Sequence, residues 1–473
     1  MTFSILIIIC GLILAQIPPH GNFEVKPYND KVYKCVKNNK VIWASTSEEI
    51  LYYSEDYGRT IRDSFNFHTN FSQNIRNAFI CSNGNIIVVN DSLIYYSINN
   101  GKEFKLATDT VNGKPIRCNY WLSSNSIDEG NNNVIFAEYG NDGPDPDGTM
   151  KRYIWRSKNY GVTWEKILSQ SHQPNAQYDT SFIRHFHTCH YIAKKNIWLA
   201  TSGDNNTSIK WFISFDNGDN WMRIGNTFSQ DYRTLAVEYA QNNELMWGTD
   251  NTTPNSKNAI ISINWEQLFN SERILNKLIL HDGQVYNFWI YDNQVLFTQR
   301  VAPKTNFAPK IYYSNNLGTN WEVVLEWYKT NSVSSAGFEN GCGIDDSGRV
   351  YIPITSNLVG YPYINGIIIT FPERSIISVP EKKITSNSLF DFQNYPNPFN
   401  TTTRIKYFID KDCFVNVRFY NSIGSPLGFN YNKLEKYGEH EINFDGKSLA
   451  SGVYFCMIKI KDKIKIIKMI LIK

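Results

Sequence analysis

Ser157-Lys158-Asn159-Tyr160-Gly161-Val162-Thr163-Trp164 and Ser214-Phe215-Asp216-Asn217-Gly218-Asp219-Asn220-Trp221 are two copies of one pattern, Ser-x-Asp/Asn-x-Gly-x-x-aromatic. Three further copies start at Ser54, Ser97 and Ser314, the first of them ending on Ile61. Each follows directly on an apolar strand. The pattern has a mechanical reading. The Asp or Asn caps backbone N–H groups in a hairpin turn, the Gly supplies a positive φ, and the aromatic packs between sheets. A structural role is therefore expected for Asp56, Asn99, Asn159, Asp216 and Asn316.

Working outward, each copy belongs to a larger unit of about four strands. A shortened fifth copy, Ser262-Ile263-Asn264-Trp265, lacks the Gly, and a seventh unit starting at Arg349 ends without the pattern. Successive starts lie 43 to 60 residues apart, which suits propeller blades and is far too long for a β-solenoid. The expected fold class is all-β: a seven-bladed β-propeller over residues 22–378, its ring closed by a strand near Phe23 to Lys34. A linker at 379–388 and a small Ig-like β-sandwich at 389–473 follow. The repeat resembles the Asp-box (BNR) β-propellers of the sialidase-like superfamily over roughly residues 40 to 330. That resemblance implies fold and says little of function.

The last segment carries a second resemblance. Asn394-Tyr395-Pro396-Asn397-Pro398-Phe399-Asn400, Leu449-Ala450-Ser451-Gly452-Val453-Tyr454 and the basic-apolar end at Lys468 to Lys473 resemble the C-terminal sorting domain of the type IX (Por) secretion system. Thr401 departs from it, since Pro is common there. The resemblance implies that residues 389–473 engage the type IX machinery and that the protein is extracellular or on the outer surface of a Gram-negative cell. An apolar run within residues 1–15 reads as a secretory leader, and nothing after it is long and apolar enough to span a membrane.

Composition adds bounds. Charged residues are 19% and aromatics 15% of 473 residues, as in a folded β-rich chain. The net charge of +3 makes no case for nucleic acid, and the basic excess belongs to the tail, with 13 Lys/Arg against 8 Asp/Glu in residues 389–473. After the leader, seven cysteines at irregular spacing are no disulfide framework, and a Cys413–Cys456 bridge is the pairing left open.

Propellers bind ligands at the channel mouth, where innermost strands begin. On the register of the repeat, Arg76, Arg117, Arg184 and Arg233 each stand at such an entry, suited to gripping a carboxylate or to locking blades together. Arg184-His185-Phe186-His187 places His185 and His187 on one face of a strand with Cys189, as substrate contacts or a base; no metal is assigned to them. Glu138 and Asp204 lie at strand ends and are the expected acid or base. The Asp142–Asp147 loop clusters Asp and Gly as a Ca²⁺ chelator does, although its spacing is not that of an EF-hand; no other cofactor is expected.

These residues point to a glycan ligand. The reading is a secreted or cell-surface carbohydrate-interacting propeller acting on or binding acidic (sialate or uronate) glycans. The alternatives are a non-catalytic protein- or glycan-binding propeller and a propeller-type uronate polysaccharide lyase. A sialidase fits poorly, because the Phe/Tyr-Arg-Ile-Pro segment is missing before the first box and no Tyr/Glu pair can be assigned.

Overall fold

The computed structural model describes residues 23–28, 31–140, 142–173, 181–225, 227, 229–251, 257–301, 308–326, 336–354, 366–372, 392–409, 411–422, 424–460 and 463–473. The expected leader at 1–15 and linker at 379–388 lie outside these residues. The described chain is almost wholly β. Seven sheets follow one another from Val32 to Thr370; six have four antiparallel strands on their main path, and the third adds a fifth, Thr108–Asp109, in parallel to Thr163–Ser171. The fourth runs through His185–Ile192, Ile197–Gly203, Lys210–Ser214 and Met222–Ile224. The fifth runs through Thr234–Tyr239, Glu244–Thr249, Asn258–Asn264 and Asn276–His281. The seventh takes three strands from Cys342–Ile344, Arg349–Pro353 and Gly366–Thr370. Its fourth is the N-terminal Glu24–Tyr28, paired antiparallel with Gly366–Thr370.

First strands pack on first strands. That of the first sheet, Val32–Lys37, touches those of the second and the seventh, and those of the third to the seventh touch in succession. The second strands supply the apolar packing. Val134 and Ile135, Leu199 and Ala200, Leu245 and Met246, and Leu296 and Phe297 are neighbours that point to opposite faces and show no exposed surface, so these four second strands are buried on both faces.

The five boxes are five copies of one hydrogen-bonded turn between third and fourth strands. In the fourth sheet, Ser214 Oγ donates to Asp216 Oδ1 at 2.9 Å and accepts from Gly218 N at 2.8 Å, while Asn220 N donates to Asp216 Oδ1 at 2.8 Å. Ser54, Ser97, Ser157 and Ser314 accept from Gly58, Gly101, Gly161 and Gly318 in the same way. Gly218 has φ +89°, and the residue before it, Asn217, is also left-handed at +57°. Two consecutive left-handed residues match the twist of a hairpin, which a single positive φ does not explain.

The fifth sheet departs from this. Its shortened box becomes a 3-10 helix, Trp265–Phe269, with Asn264 Oδ1 accepting from Glu266 N at 3.0 Å. Trp265, Leu268 and Phe269 are buried in one cluster with Tyr420, Phe455, Met457 and Ile466 of the C-terminal segment. Arg418 Nη1 donates to Asn270 Oδ1 at 2.7 Å, and Lys459 pairs with Glu266 at 2.8 Å. That segment forms two sheets of its own, three strands over Phe392–Tyr395, Thr402–Ile409 and Gly438–Asp445, and four strands including Cys413–Asn421 and Gly452–Ile460. Cys413 and Cys456 are buried free thiols, as are the other five described cysteines. No helix among the described residues is long and apolar enough to cross a membrane.

Candidate functional site

Three of the four expected arginines immediately precede a first strand. Arg76 stands before Asn77–Ile80, Arg184 before His185–Ile192 and Arg233 before Thr234–Tyr239. Arg117 does not. The first strand of the third sheet is Ile127–Gly130, entered through a 3-10 turn at Ser124–Ser126, so Arg117 falls in the connection and bridges to Leu93 of the second sheet. The register of the repeat fails there because the connection from Ala107 to Ser126 is longer than in the other units.

Arg184, His185, His187, Asp204 and Arg233 converge. Asp204 is the hub. Arg184 Nη1 lies 2.8 Å from its Oδ2, His185 Nε2 lies 3.0 Å from Oδ2, Arg233 Nη2 lies 3.0 Å from Oδ1 and His187 Nε2 lies 3.5 Å from Oδ1. Each guanidinium also has a carboxylate of its own. Asp142 takes Arg184 bidentately, Nε to Oδ1 and Nη2 to Oδ2, both at 2.8 Å. Asp250 Oδ2 accepts from Arg233 Nε at 3.1 Å, and Gln284 Nε2 donates to Asp250 Oδ1.

Local backbone builds this hub. A bulge between Phe186 and Thr188 interrupts the register of the first strand at His187. His187 Nδ1 then sits 3.0 Å from the Thr234 carbonyl oxygen on the neighbouring sheet. Gly203 opposite it has no room for a side chain, since a Cβ would lie 2.3 Å from the His187 ring. Asp204 follows at φ +121°, a region that costs a non-glycine residue about 1–3 kcal/mol and persists where surrounding contacts enforce it. Burial pulls His185 down to about 4 against the opposing pull of Asp204. Burial pushes the Asp204 carboxyl up, but the His185 and His187 imidazoles beside it more than offset this and leave it well below the usual carboxylate range.

Tyrosines complete the rim, and these were not legible in the sequence. Tyr139 stacks on His185 with ring centroids 3.9 Å apart, and Tyr120 lies 6.2 Å from Tyr139. The Arg76 guanidinium sits 4.8 Å over Tyr120 and pairs with Asp91 at 3.0 Å. Tyr286 follows Gln284 at the start of the sixth sheet's first strand, with Arg300 Nη1 donating to its hydroxyl at 2.7 Å. The one available signal was position: Gln284 and Tyr286 occupy the strand positions that His185 and His187 hold in the fourth sheet.

Glu138 lies apart from the hub. It is fully buried, accepting from Trp155 Nε1 and Tyr153 N, both at 2.8 Å, and from Asn119 N at 3.2 Å. Burial, then Asp145, push its carboxyl well up. The geometry gives it a structural place, with no face toward solvent for acid or base work. The Asp142–Asp147 loop likewise does not gather its carboxylates. Asp142 holds Arg184, Asp145 accepts from Asn119, and Asp147 takes Lys166, Thr149 and Tyr153. Among the described residues, the group of His, Cys, Asp and Glu close enough to share a cation is instead His185, His187 and Asp204.

Comparisons with known proteins bear mostly on the tail. Residues 393–473 match the family model of the secretion system C-terminal sorting domain. No curated protein matches the chain. Among solved structures, the extracellular domain assigned to a hybrid two-component system of B. thetaiotaomicron aligns at TM-score 0.43 and 8% identity over 97% of this chain. This chain spans 60% of that one. A family 25 polysaccharide lyase, an ulvan lyase bound to a -[GlcA(1-4)Rha3S]- saccharide, aligns at 0.41 and 8%, covering 74% of this chain and 95% of the lyase. A GH43 β-1,3-galactosidase aligns at 0.35 and 6%, covering 56% and 92%. The part of the chain whose family is shown is the tail: residues 393–473 are a secretion system C-terminal sorting domain, which marks the protein for type IX export to the cell surface or beyond.

Proposed function

We propose that the seven sheets are the blades of a closed propeller and that the exported protein binds glycans, without cleaving them, on the rim built around Asp204. The observation that carries this reading is the pairing of tyrosine rings with satisfied ion pairs on one face. Tyr120, Tyr139 and Tyr286 are half-buried, so each keeps part of a ring for the apolar face of a sugar. The Arg184–Asp142 pair, with side chains 36% and 51% exposed, offers donors and acceptors side by side for vicinal hydroxyls. A lyase or hydrolase needs an acid or base free to exchange a proton with substrate. Here Glu138 is sealed in the interior and Asp204 is engaged on both oxygens.

Acidic glycans are the second reading, favoured by Arg76. Its side chain is 46% exposed and its partner Asp91 is 72% exposed, so that pair is weak and a ligand carboxylate can exchange into it. The test is a glycan array with the secreted chain, then affinity for each hit in Tyr139→Ala and Arg76→Ala. Loss on Tyr139→Ala with every hit supports the rim. Loss on Arg76→Ala confined to uronates and sialates supports the acidic preference. No glycan bound, or shortened glycan recovered after incubation, refutes the reading.

A further inference from the structure

The Asp204 hub contains a feature that glycan binding leaves unused. His187 Nδ1 faces the Thr234 carbonyl oxygen at 3.0 Å, so the hydrogen of the neutral ring sits on Nδ1. Its Nε2 then presents a bare lone pair to Asp204 Oδ1, 3.5 Å away. Two acceptors face each other, which is unfavourable unless something positive lies between them. His185 repeats the problem. Its Nε2 is buried and lies 3.0 Å from Asp204 Oδ2, yet it has no hydrogen-bond partner in line.

Charge points the same way. Arg184 is matched by Asp142 and Arg233 by Asp250, so each guanidinium has a carboxylate apart from Asp204. Asp204 is a third carboxylate beside two guanidiniums, and it faces two imidazoles.

We propose that His185, His187 and Asp204 hold one divalent cation, zinc by the match of two borderline imidazole nitrogens and one carboxylate to its usual donors. Two ligand atoms each about 2.0–2.1 Å from a tetrahedral zinc lie about 3.3 Å apart. His185 Nε2 lies 3.0 Å from Asp204 Oδ2 and His187 Nε2 3.5 Å from Oδ1, each close to that value for a carboxylate facing the cation with both oxygens, and one ligand atom from each of the three residues lies within 4.8 Å of the others. Each Asp204 oxygen keeps a second lone pair for its arginine. The Thr234 carbonyl is the outer partner that orients a metal-binding imidazole. The strand bulge at His187, the absent side chain at Gly203 and the left-handed Asp204 are the backbone features that bring the three ligands together. Three protein ligands leave a fourth position for water or a ligand oxygen.

The test uses the full chain without a histidine tag. The protein is stripped with EDTA, reloaded with zinc, freed of excess and counted by elemental mass spectrometry; affinity follows from competition with a chromophoric chelator. One zinc per chain is expected, with a rise in melting temperature over the stripped form. His185→Gln and His187→Gln should each weaken zinc by more than about 100-fold, since losing a ligand costs more than the 10–100-fold that losing an outer partner costs. His68→Gln, an exposed histidine outside the hub, should not change it. A wild-type chain that takes up no zinc overturns the proposal, since that count needs no variant to fold. Full zinc retention in both histidine variants also overturns it. The readout is metal content, so failure here is distinct from failure to bind a glycan.

Discussion

His190 should make the protein lose stability as the solution turns alkaline. Its ring lies between two carboxylates, Nδ1 at 2.9 Å from Asp128 Oδ2 and Nε2 at 3.8 Å from Glu238 Oε2, at the wall of a cavity of about 310 Å³ where first strands meet. The nearest lysines there, Lys34 and Lys37, are held by Glu48 and Glu129. Burial pulls His190 down, but the hydrogen bond and charge of Asp128, with Glu238 behind, raise it from 6.5 to about 9. A raised folded pKa contributes stability that is fully present below 6.5 and disappears as pH climbs through 9. The shift is worth roughly 3 kcal/mol at most, at about 1.4 kcal/mol per unit. Burial also raises Glu238 from 4.5 to about 7, with Asp128 adding to the rise and His190 opposing it. Its folded form therefore binds a proton more tightly, and that contribution is lost as pH rises from 4.5 to 7. Both groups act with one sign, so their joint contribution should fall from about pH 4.5 to 9, above where the depressed Asp204 titrates. Urea unfolding of the wild type and of His190→Gln, across that range, reads the difference. The variant should be less stable in acid and should lose most of the slope above neutrality. An unchanged slope in the variant would refute the account.

Three further outcomes follow from named contacts. Ser214→Ala leaves the buried Gly218 N–H without its acceptor and should cost about 1–3 kcal/mol in denaturant unfolding, with glycan affinity unchanged because the turn is a frame element. Gly203→Ala places a methyl 2.3 Å from the His187 ring, so zinc uptake should fall together with stability; zinc uptake equal to wild type would show that the ring has another place to go. Phe269→Ala removes an anchor between the fifth sheet and the sorting domain and should lower unfolding stability by about 3–5 kcal/mol if the two parts melt together. Separate melting of the two parts, with only the first affected, would show that the interface carries little coupling.

Much of the frame could be read because each box states a local requirement. Ser214, Asp216 and Gly218 satisfy one another within five residues, and the backbone needs of such a turn leave a fixed spacing in the chain. The entry arginines at 76, 184 and 233 were legible for the same reason, as they sit one residue before a strand start. Arg117 was not, because a repeat tells nothing of the extra 3-10 turn at Ser124–Ser126. Partners were harder still. Arg184 meets Asp142 from 42 residues away, and Lys37 meets Glu129 from 92, distances over which sequence pattern carries no register. Glu138 and Asp204 looked alike as acids at strand ends. What separates them is the neighbour: Trp155 closes over the first, while Arg184, partly exposed, and Arg233, buried, reach the second.

The broken fifth box shows how a local defect can have a distant cause. Read along the chain, Ser262 to Trp265 is a turn that keeps its Ser and its capping Asn but has lost its Gly. With the glycine gone, the chain takes a 3-10 turn that needs no left-handed residue, and this turns Trp265, Leu268 and Phe269 toward the sorting domain. An intact box would put a polar turn at that edge in place of Trp265, Leu268 and Phe269, which share a cluster with Phe455, Met457 and Ile466. Gly424 of the sorting domain fits for the complementary reason, since a Cβ there would lie 1.7 Å from the Arg223 carbonyl oxygen of the fourth sheet. The loss on one side and the glycine on the other belong to a single fit. Restoring a box at 262–269 should therefore repair the turn and weaken the seat of the sorting domain together, which separates this account from one in which the fifth repeat has merely decayed.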